Sequence, residues 1–516
     1  MRIRLLTILA ALVFCLGFAA SAQAQTDTPV PYSIVPRTAP TAHVEVAQLP
    51  PAGVANFDAE KATDAYMARI SPAEKARSDA YFEGGYVLMV VDLLYTLVIA
   101  GLLLWLQVSA AMRNAAVFVS QSIFGQLLVY ALIAAPVAGI LLPLAVIVHL
   151  PGITAAVLAI VAVFGLSRFE WVRDMVEKFA ASRFLQVPIY VVQYVVVTTV
   201  LLLPLSVYEG YSREHAYGLS NQTFWQWAGD FAINSGVALI GLTILLTIVY
   251  AIVRATKRYW WVWGSGITVV FMMVAIMVAP VYIAPLTNHY TALPQSGLRS
   301  AILSLANAND IPAKDVYTFD ASKQSKRVSA NVSGLFGTTR ISLNDNLLNR
   351  GTPSEVLAVL GHEMGHYVMN HVGTFITWFG LLIVLAFWFV DHAFRGLTSI
   401  LGGNWGVRTI DDPAGLPLVM ALISVFFFLA TPLTNSIIRT QEIQADIFGL
   451  NAARQPDAFA TVALKLAEYR KLNPGHLEEI IFFDHPSGRN RIAMAMRWKA
   501  EHLNDSDIMA GPISPQ

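Results

Sequence analysis

The sequence has 516 residues, 56% hydrophobic and only 13% charged, where soluble domains carry about 25% charged residues. Lipid is therefore the expected main solvent. Lys plus Arg and Asp plus Glu each number 34, for a formal net charge of zero, which gives no sign of a basic nucleic-acid surface.

In chain order, the first expected element is a secretion signal. Arg2 and Arg4 precede an apolar stretch from Leu5 to Ala20, and Ala22-Gln23-Ala24 is a small-x-small cleavage site. Cleavage is expected after Ala24, an uncleaved anchor being the alternative. The one cysteine, Cys15, lies inside this stretch. The mature chain then has no disulfide, thiolate ligand or cysteine nucleophile. Residues 25–85 are rich in Pro, Ala, Asp and Glu and are expected to form a polar extramembrane segment, part linker and part short helix.

A helix needs about 20 apolar residues to cross a bilayer. Tyr86–Val108, Pro188–Val207, Ile233–Val253, Tyr259–Ala284, Thr374–Val390 and Pro417–Ile438 meet that length. The apolar tract Ala115–Leu166 is broken by Pro136, Pro143 and Pro151 and is too long for one crossing, so it is read as a hairpin. The expected fold is thus mainly α, a polytopic membrane bundle of about eight spans. The expected divisions are a signal at 1–24, the polar segment at 25–85, a bundle at 86–285, two extramembrane blocks at 286–373 and 439–516, and a membrane hairpin at 374–438 between them. With the extra hairpin in place, Arg113, Arg168, Arg173, Lys178, Arg183, Arg254, Lys257, Arg258, Arg395 and Arg408 share one side. The positive-inside rule makes that side cytoplasmic and turns both blocks outward. An odd number of spans in 115–166 reverses this.

The first block shows strand-like alternation at Asp315–Phe319 and Gly337–Leu343, which predicts a small β-sheet. Thr352-Pro353-Ser354-Glu355 then opens a helix, with Thr352 or Ser354 as its cap.

That helix carries His362-Glu363-Met364-Gly365-His366. Histidines four apart share one helical face and can reach one ion. Zinc accepts imidazole nitrogen and lowers the pKa of a bound water toward about 7, and Glu363 is placed to take the proton. A structural helix with two surface histidines explains the five residues alone equally well. A catalytic zinc needs a third protein ligand. His371 falls off the ligand face and is read as solvated or interfacial. Glu442 and Asp446, again four apart, are the better source, although an ordinary exposed acidic pair has the same spacing. Asp446 could hold a histidine or help deliver a proton to the leaving amine.

Several further segments occur in a set order. Glu209 precedes Tyr217 to Thr223, followed by Tyr282 to Leu286 with Leu293-Pro294, Ser322-Lys323, Gly334 to Leu348, Glu355 to His366, Glu442 to Asp446, and His485-Pro486-Ser487 with Arg491. This pattern resembles the integral-membrane zinc metallopeptidases whose best-known member is CAAX prenyl protease 1, over Pro188 to about Arg497. The resemblance implies one Zn2+ on His362, His366 and Glu442, with Glu363 as general base. It makes Asp446 an acid beside the metal, His485 an oxyanion stabiliser and Arg439 a buttress of the glutamate. His485 would otherwise read as a loop histidine.

On the substrate-docking strand this chain departs from the eukaryotic pattern Ser-Asn-Ala-Tyr, reading Val328-Ser329-Ala330-Asn331. Ser329, Ala330 and Asn331 are the candidate substrate contacts. The expected function is a bacterial-type, inner-membrane zinc metalloendopeptidase acting on membrane-associated or exported polypeptides, its site on the periplasmic side. A non-proteolytic scaffold or transporter with a protease-like fold is the alternative.

Overall fold

The computed structural model describes residues 57–130, 170–333 and 339–509. The expected signal, most of the 115–166 hairpin and part of Gly334–Leu348 lie outside them. After a short helix α1 (Ala59–Met67), α2 runs from Pro72 to Trp105 and α3 from Val108 to Gln121. Helices α4 (Glu170–Ala180), α5 (Arg183–Val207), α6 (Phe224–Thr256) and α7 (Trp260–Val278) complete the first bundle. A 3-10 turn at Lys257–Tyr259 separates α6 from α7.

Then come α8 (Gly297–Ala308), α9 (Asp345–Arg350), α10 (Pro353–Val368) and the 35-residue α11 (His371–Trp405). Helices α12 (Leu416–Leu429) and α13 (Thr431–Ala453) form a pair bent by 57°. Pro432, in the first turn of α13, has no N–H to continue the helix. The chain closes with α14 (Pro456–Lys465), α15 (His476–Phe482) and α16 (Gly488–Glu501).

Among the described residues four helical stretches are long and apolar enough to cross a membrane, or five with the bent pair. One of them, Phe224–Leu286, contains both α6 and α7. The protein is a multi-pass membrane protein. Its helices overrun the apolar runs that mark them: α2 begins 14 residues before Tyr86 and α11 ends 15 after Val390. Hydropathy reports the lipid-bathed length, whereas the backbone ladder continues into water wherever caps allow. Ser71 supplies one such cap, sharing a capping box with Glu74.

The sheet has strand order β1-β2-β4-β3, with β1 Tyr290–Ala292, β2 Val316–Phe319, β3 Ala330–Ser333 and β4 Arg340–Asn344. β2 and β4 pair in parallel; the other pairs are antiparallel. β3 is an edge strand. Its Ala330 joins Leu343, Leu360 and Met364 in one core, which seats the sheet on α10. Helix α1 docks on this extramembrane part: Tyr66 donates to Asp457 at 2.9 Å and Arg489 to Asp64 at 2.8 Å. At the far end of the bundle, Arg113 pairs with Asp412 at 2.6 Å and Arg183 with Asp411 at 2.7 Å. Of the cationic residues grouped from the sequence, Arg113, Arg183, Arg254, Lys257, Arg258, Arg395 and Arg408 therefore gather at the end remote from the sheet.

Candidate metal centre

Helix α10 starts at Thr352, whose hydroxyl accepts from Glu355 N–H while the Glu355 carboxylate accepts from Thr352 N–H at 2.7 Å. Lys465 donates to the same carboxylate at 2.7 Å. Thr352, not Ser354, is the cap. This fixes the helix start and hence which face carries His362 and His366. That face meets α13 along a seam of small residues. A Cβ on Gly361 would lie 3.0 Å from Gly449 O and from Ala453 Cβ, one on Gly365 3.0 Å from Ala445 Cα, and one on Gly449 2.7 Å from His362 N. The backbones touch, and this closeness brings Glu442 to the histidines.

His362 Nε2 lies 3.1 Å from His366 Nε2 and 3.2 Å from Glu442 Oε2, and His366 Nε2 is 3.5 Å from Glu442 Oε1. Three atoms held about 2.0–2.1 Å from one tetrahedral ion sit roughly 3.3 Å apart, so the observed separations bracket that value. The three form the metal-capable group among the described residues. Glu442 Oε2 is buried without a well-directed hydrogen bond, although two imidazole nitrogens lie 3.2 Å away. A cation there would satisfy it. The residues fit a zinc ion.

Each histidine has a partner on its other nitrogen. His362 Nδ1–H donates to Asp446 Oδ1 at 2.7 Å, and Arg491 Nε donates to Asp446 Oδ2 at 2.9 Å. Asp446 is fully buried, on the side of His362 away from the open face. His366 Nδ1 lies 2.8 Å from His371 Nδ1, and His371 Nε2 is 3.1 Å from Gln444 Oε1. Of the two expectations for His371, solvated or interfacial, the solvated one is corrected here: it is 5% exposed. It opens α11, where Asn370 in the left-handed region (φ 52°) caps the helix. That turn swings the His371 ring back over His366, which a straight helical projection misses.

Glu363 is half-buried and makes no hydrogen bond among the described residues. Burial lifts its carboxyl to about 7. Burial opposes the charged form of His362, but the Asp446 hydrogen bond and then Glu442 outweigh it and hold the imidazole up at about 10. Burial first, then the neighbouring His362, brings His366 down to about 4.

His485 Nε2 lies 3.2 Å from Glu442 Oε2, and its Nδ1 is 3.0 Å from Asp484 Oδ1. Arg439 does not meet Glu442 as expected. It donates to the carbonyls of Glu479 (2.8 Å) and Phe483 (2.5 Å), capping the end of α15 and so holding the segment that leads to His485. Ser329 is exposed just before β3 and Asn331 is half-buried, its Oδ1 accepting from Ser333 Oγ at 3.2 Å. Strand alternation puts both on the face opposite the buried Ala330. Sequence reasoning missed Gln444 and gave Arg491 no role. Gln444 sits between Glu442 and Asp446 at a spacing that carries no signal of its own.

A two-histidine, one-carboxylate site on helices that leave a membrane bundle defines a membrane-embedded metallopeptidase. The profile described as peptidase family M48 matches residues 292–499. The profile of the CAAX prenyl protease N-terminal region, five membrane helices, matches residues 148–289. The chain is 32% identical over 326 residues to the uncharacterized metalloprotease YhfN of Bacillus subtilis, covering 63% of this chain and 76% of that one. It is 28% identical over 287 residues to a CAAX prenyl protease 1 homolog of Arabidopsis thaliana (55% and 67% covered). It is 27% identical over 312 residues to CAAX prenyl protease 1 of Saccharomyces cerevisiae (57% and 68%). The crystal structure of S. mikatae Ste24p superposes with a TM-score of 0.54 at 25% identity, covering 61% of this chain and 76% of that one. The chain belongs to peptidase family M48 and is a metalloprotease.

Proposed function

We propose that this protein hydrolyses peptide bonds of membrane-associated or exported polypeptides, with zinc held by His362, His366 and Glu442 and with Glu363 as general base. The observation that carries the reading is the convergence of three ligand atoms within 4.8 Å of one another, beside a half-buried carboxyl poised near neutrality. Zinc bound there supplies a Lewis acid that polarises the scissile carbonyl and acidifies water.

The remaining steps belong to the chain. Glu363 takes a proton from the attacking water and returns it to the leaving amine, a role suited to a carboxyl near pH 7. His485 donates a hydrogen bond to the developing oxyanion. Asp446, clamped by Arg491, keeps the His362 proton on Nδ1 and so frees Nε2 for the metal. In this reading Asp446 orients a ligand and does not deliver a proton to the amine. An extended substrate adds to the free edge of β3, its backbone pairing beside Ser329, Ala330 and Asn331.

The rival reading, a scaffold or transporter, would gain from loss of Glu363 or Glu442, and both are in place. The test is Glu363→Ala in the purified protein. It should retain one zinc per chain and lose cleavage of an unstructured reporter; undiminished cleavage would sink the mechanism. The catalytic side is read as periplasmic, in a bacterial inner membrane, because the cationic residues gather at the opposite end.

A further inference from the structure

At the end of the bundle remote from the metal centre lies a cavity of about 1100 Å³. Its cationic lining comes from Arg183 at the start of α5, Arg254 in the last turn of α6, Lys257 and Arg258 in the following turn, and Arg395 on α11. Two carboxylates share the lining, and both are engaged. Asp391 accepts from Trp260 Nε1 at 2.6 Å and pairs with Arg395 at 2.8 Å. Asp411 pairs with Arg183 at 2.7 Å. Arg254, Lys257 and Arg258 make no ion pair among the described residues, and although Asp411 also acts on Arg254, the lining sets five cations against two carboxylates. Arg254 Nη1 is buried with no hydrogen bond, and such a donor costs free energy unless a ligand meets it.

The cavity's depth follows from the helices that frame it. Lys257–Tyr259 is the turn between the 33-residue α6 and the 19-residue apolar α7, each about long enough to cross a bilayer, so it lies at a membrane surface. Helix α11 begins at His371 beside the metal ligands, and its cavity-lining residues Trp388 and Arg395 come 17 and 24 positions later. At 1.5 Å per residue that is about 26–36 Å, close to the roughly 30 Å of a hydrocarbon core. The cavity thus sits at headgroup level on the opposite face. Tyr259, Trp261 and Trp388 in its lining are the aromatic types that favour this level.

We infer that this cavity binds the phosphodiester of an anionic phospholipid headgroup, with Arg254, Lys257 and Arg258 as the charges that hold it. Guanidinium groups bind phosphate oxygens in pairs, and basic pockets between membrane helices suit such headgroups. The site is independent of the proposed zinc chemistry and stands or falls without it.

The test is native mass spectrometry of the full chain, reconstituted with phosphatidylglycerol, phosphatidylcholine or an equal mixture. Wild type should retain phosphatidylglycerol selectively. Arg254→Gln/Lys257→Gln/Arg258→Gln should weaken that retention about hundredfold, and Lys326→Gln, an exposed charge on the extramembrane part, should leave it unchanged. Zinc content and melting temperature verify folding. If the triple variant does not fold, Lys257→Gln/Arg258→Gln, whose side chains are exposed, carries the test with about a tenfold loss or more. Equal retention by wild type and the folded variant overturns the inference, as does equal retention of phosphatidylcholine. Competition by inorganic phosphate at the same concentration as the lipid would make free phosphate the ligand and would also overturn it.

Discussion

His371 Nδ1 lies 2.8 Å from His366 Nδ1, and Gln444 Oε1 lies 3.1 Å from the other nitrogen of His371. Only one arrangement of protons lets His366 present Nε2 to a metal. His366 Nδ1–H donates to His371, and His371 Nε2–H donates to Gln444. His371 is therefore a positioning residue acting through the proposed ligand His366. Loss of a ligand's hydrogen-bonding partner typically costs 10–100-fold in metal affinity. His371→Phe should weaken zinc binding by about that factor in a chelator competition, and Gln444→Leu should do so by less. Unaltered zinc affinity in His371→Phe would show the contact to be packing only.

Zinc uptake should release a proton. In the metal-stripped protein His362 is held at about 10, while His366 at about 4 is neutral through the working range. At pH 7.5 zinc must displace the proton on His362 Nε2. Calorimetry in buffers of different ionisation enthalpy should report release of about one proton per zinc, and apparent affinity should rise about tenfold per pH unit between roughly pH 7 and 9. The stability sign follows from the same shift. A folded-state pKa raised from 6.5 gives the metal-stripped protein stability that is fully present below about pH 6.5 and lost as pH rises through about 10. Asp446→Asn should reduce both effects; zinc uptake without proton release in wild type would refute the assignment.

The sequence made the helix carrying His362 and His366 and its metal-capable face legible because those features are local. A capping threonine, a proline in the first turn and histidines four apart on one face are all fixed by helix geometry. Strands β2 and β4 were likewise visible through alternation. The hydrogen-bonding partners were not. Gln444 and His371 meet only because α10 and α13 touch through glycine, and Asn370 reverses the backbone ahead of α11. Arg439 shows the same limit. The resemblance pointed it at Glu442, whereas the fold turns its guanidinium to the carbonyls at the end of α15.

The α10–α13 seam has a stability consequence that can be separated from the chemistry. A Cβ at Gly449 would fall 2.7 Å from His362 N, and backbone cannot yield as a flexible side chain does. Gly449→Ala should therefore part the helices at the ligand histidine. The expected cost is about 1–3 kcal/mol, with zinc affinity reduced alongside. Gly396→Ala, where nothing lies within 4 Å of the new atom, serves as control and should raise stability slightly through helix propensity. A normal melting temperature and normal zinc content in Gly449→Ala would mean that the helices tolerate a wider crossing than the site requires.

Orientation can be read from single cysteines, because Cys15 is the chain's one native cysteine. Glu501 is exposed at the end of α16 on the extramembrane part, and Arg408 is exposed in the connection between α11 and α12 at the cationic end. With Cys15 replaced by serine, Glu501→Cys should react with a membrane-impermeant maleimide in intact cells, and Arg408→Cys only after lysis. The opposite pattern would put the metal centre in the cytoplasm together with α1, which docks beside it. It would mean that the N-terminal segment is not exported, since Arg113 and Arg183 on either side of 115–166 pair at one end of the bundle. Labelling of both in intact cells would contradict the separation of the two ends by a membrane. The expected pattern follows from charge. A loop beside Arg254, Lys257, Arg258 and Arg395 resists export, since the positive-inside bias is set by Lys and Arg close to span ends.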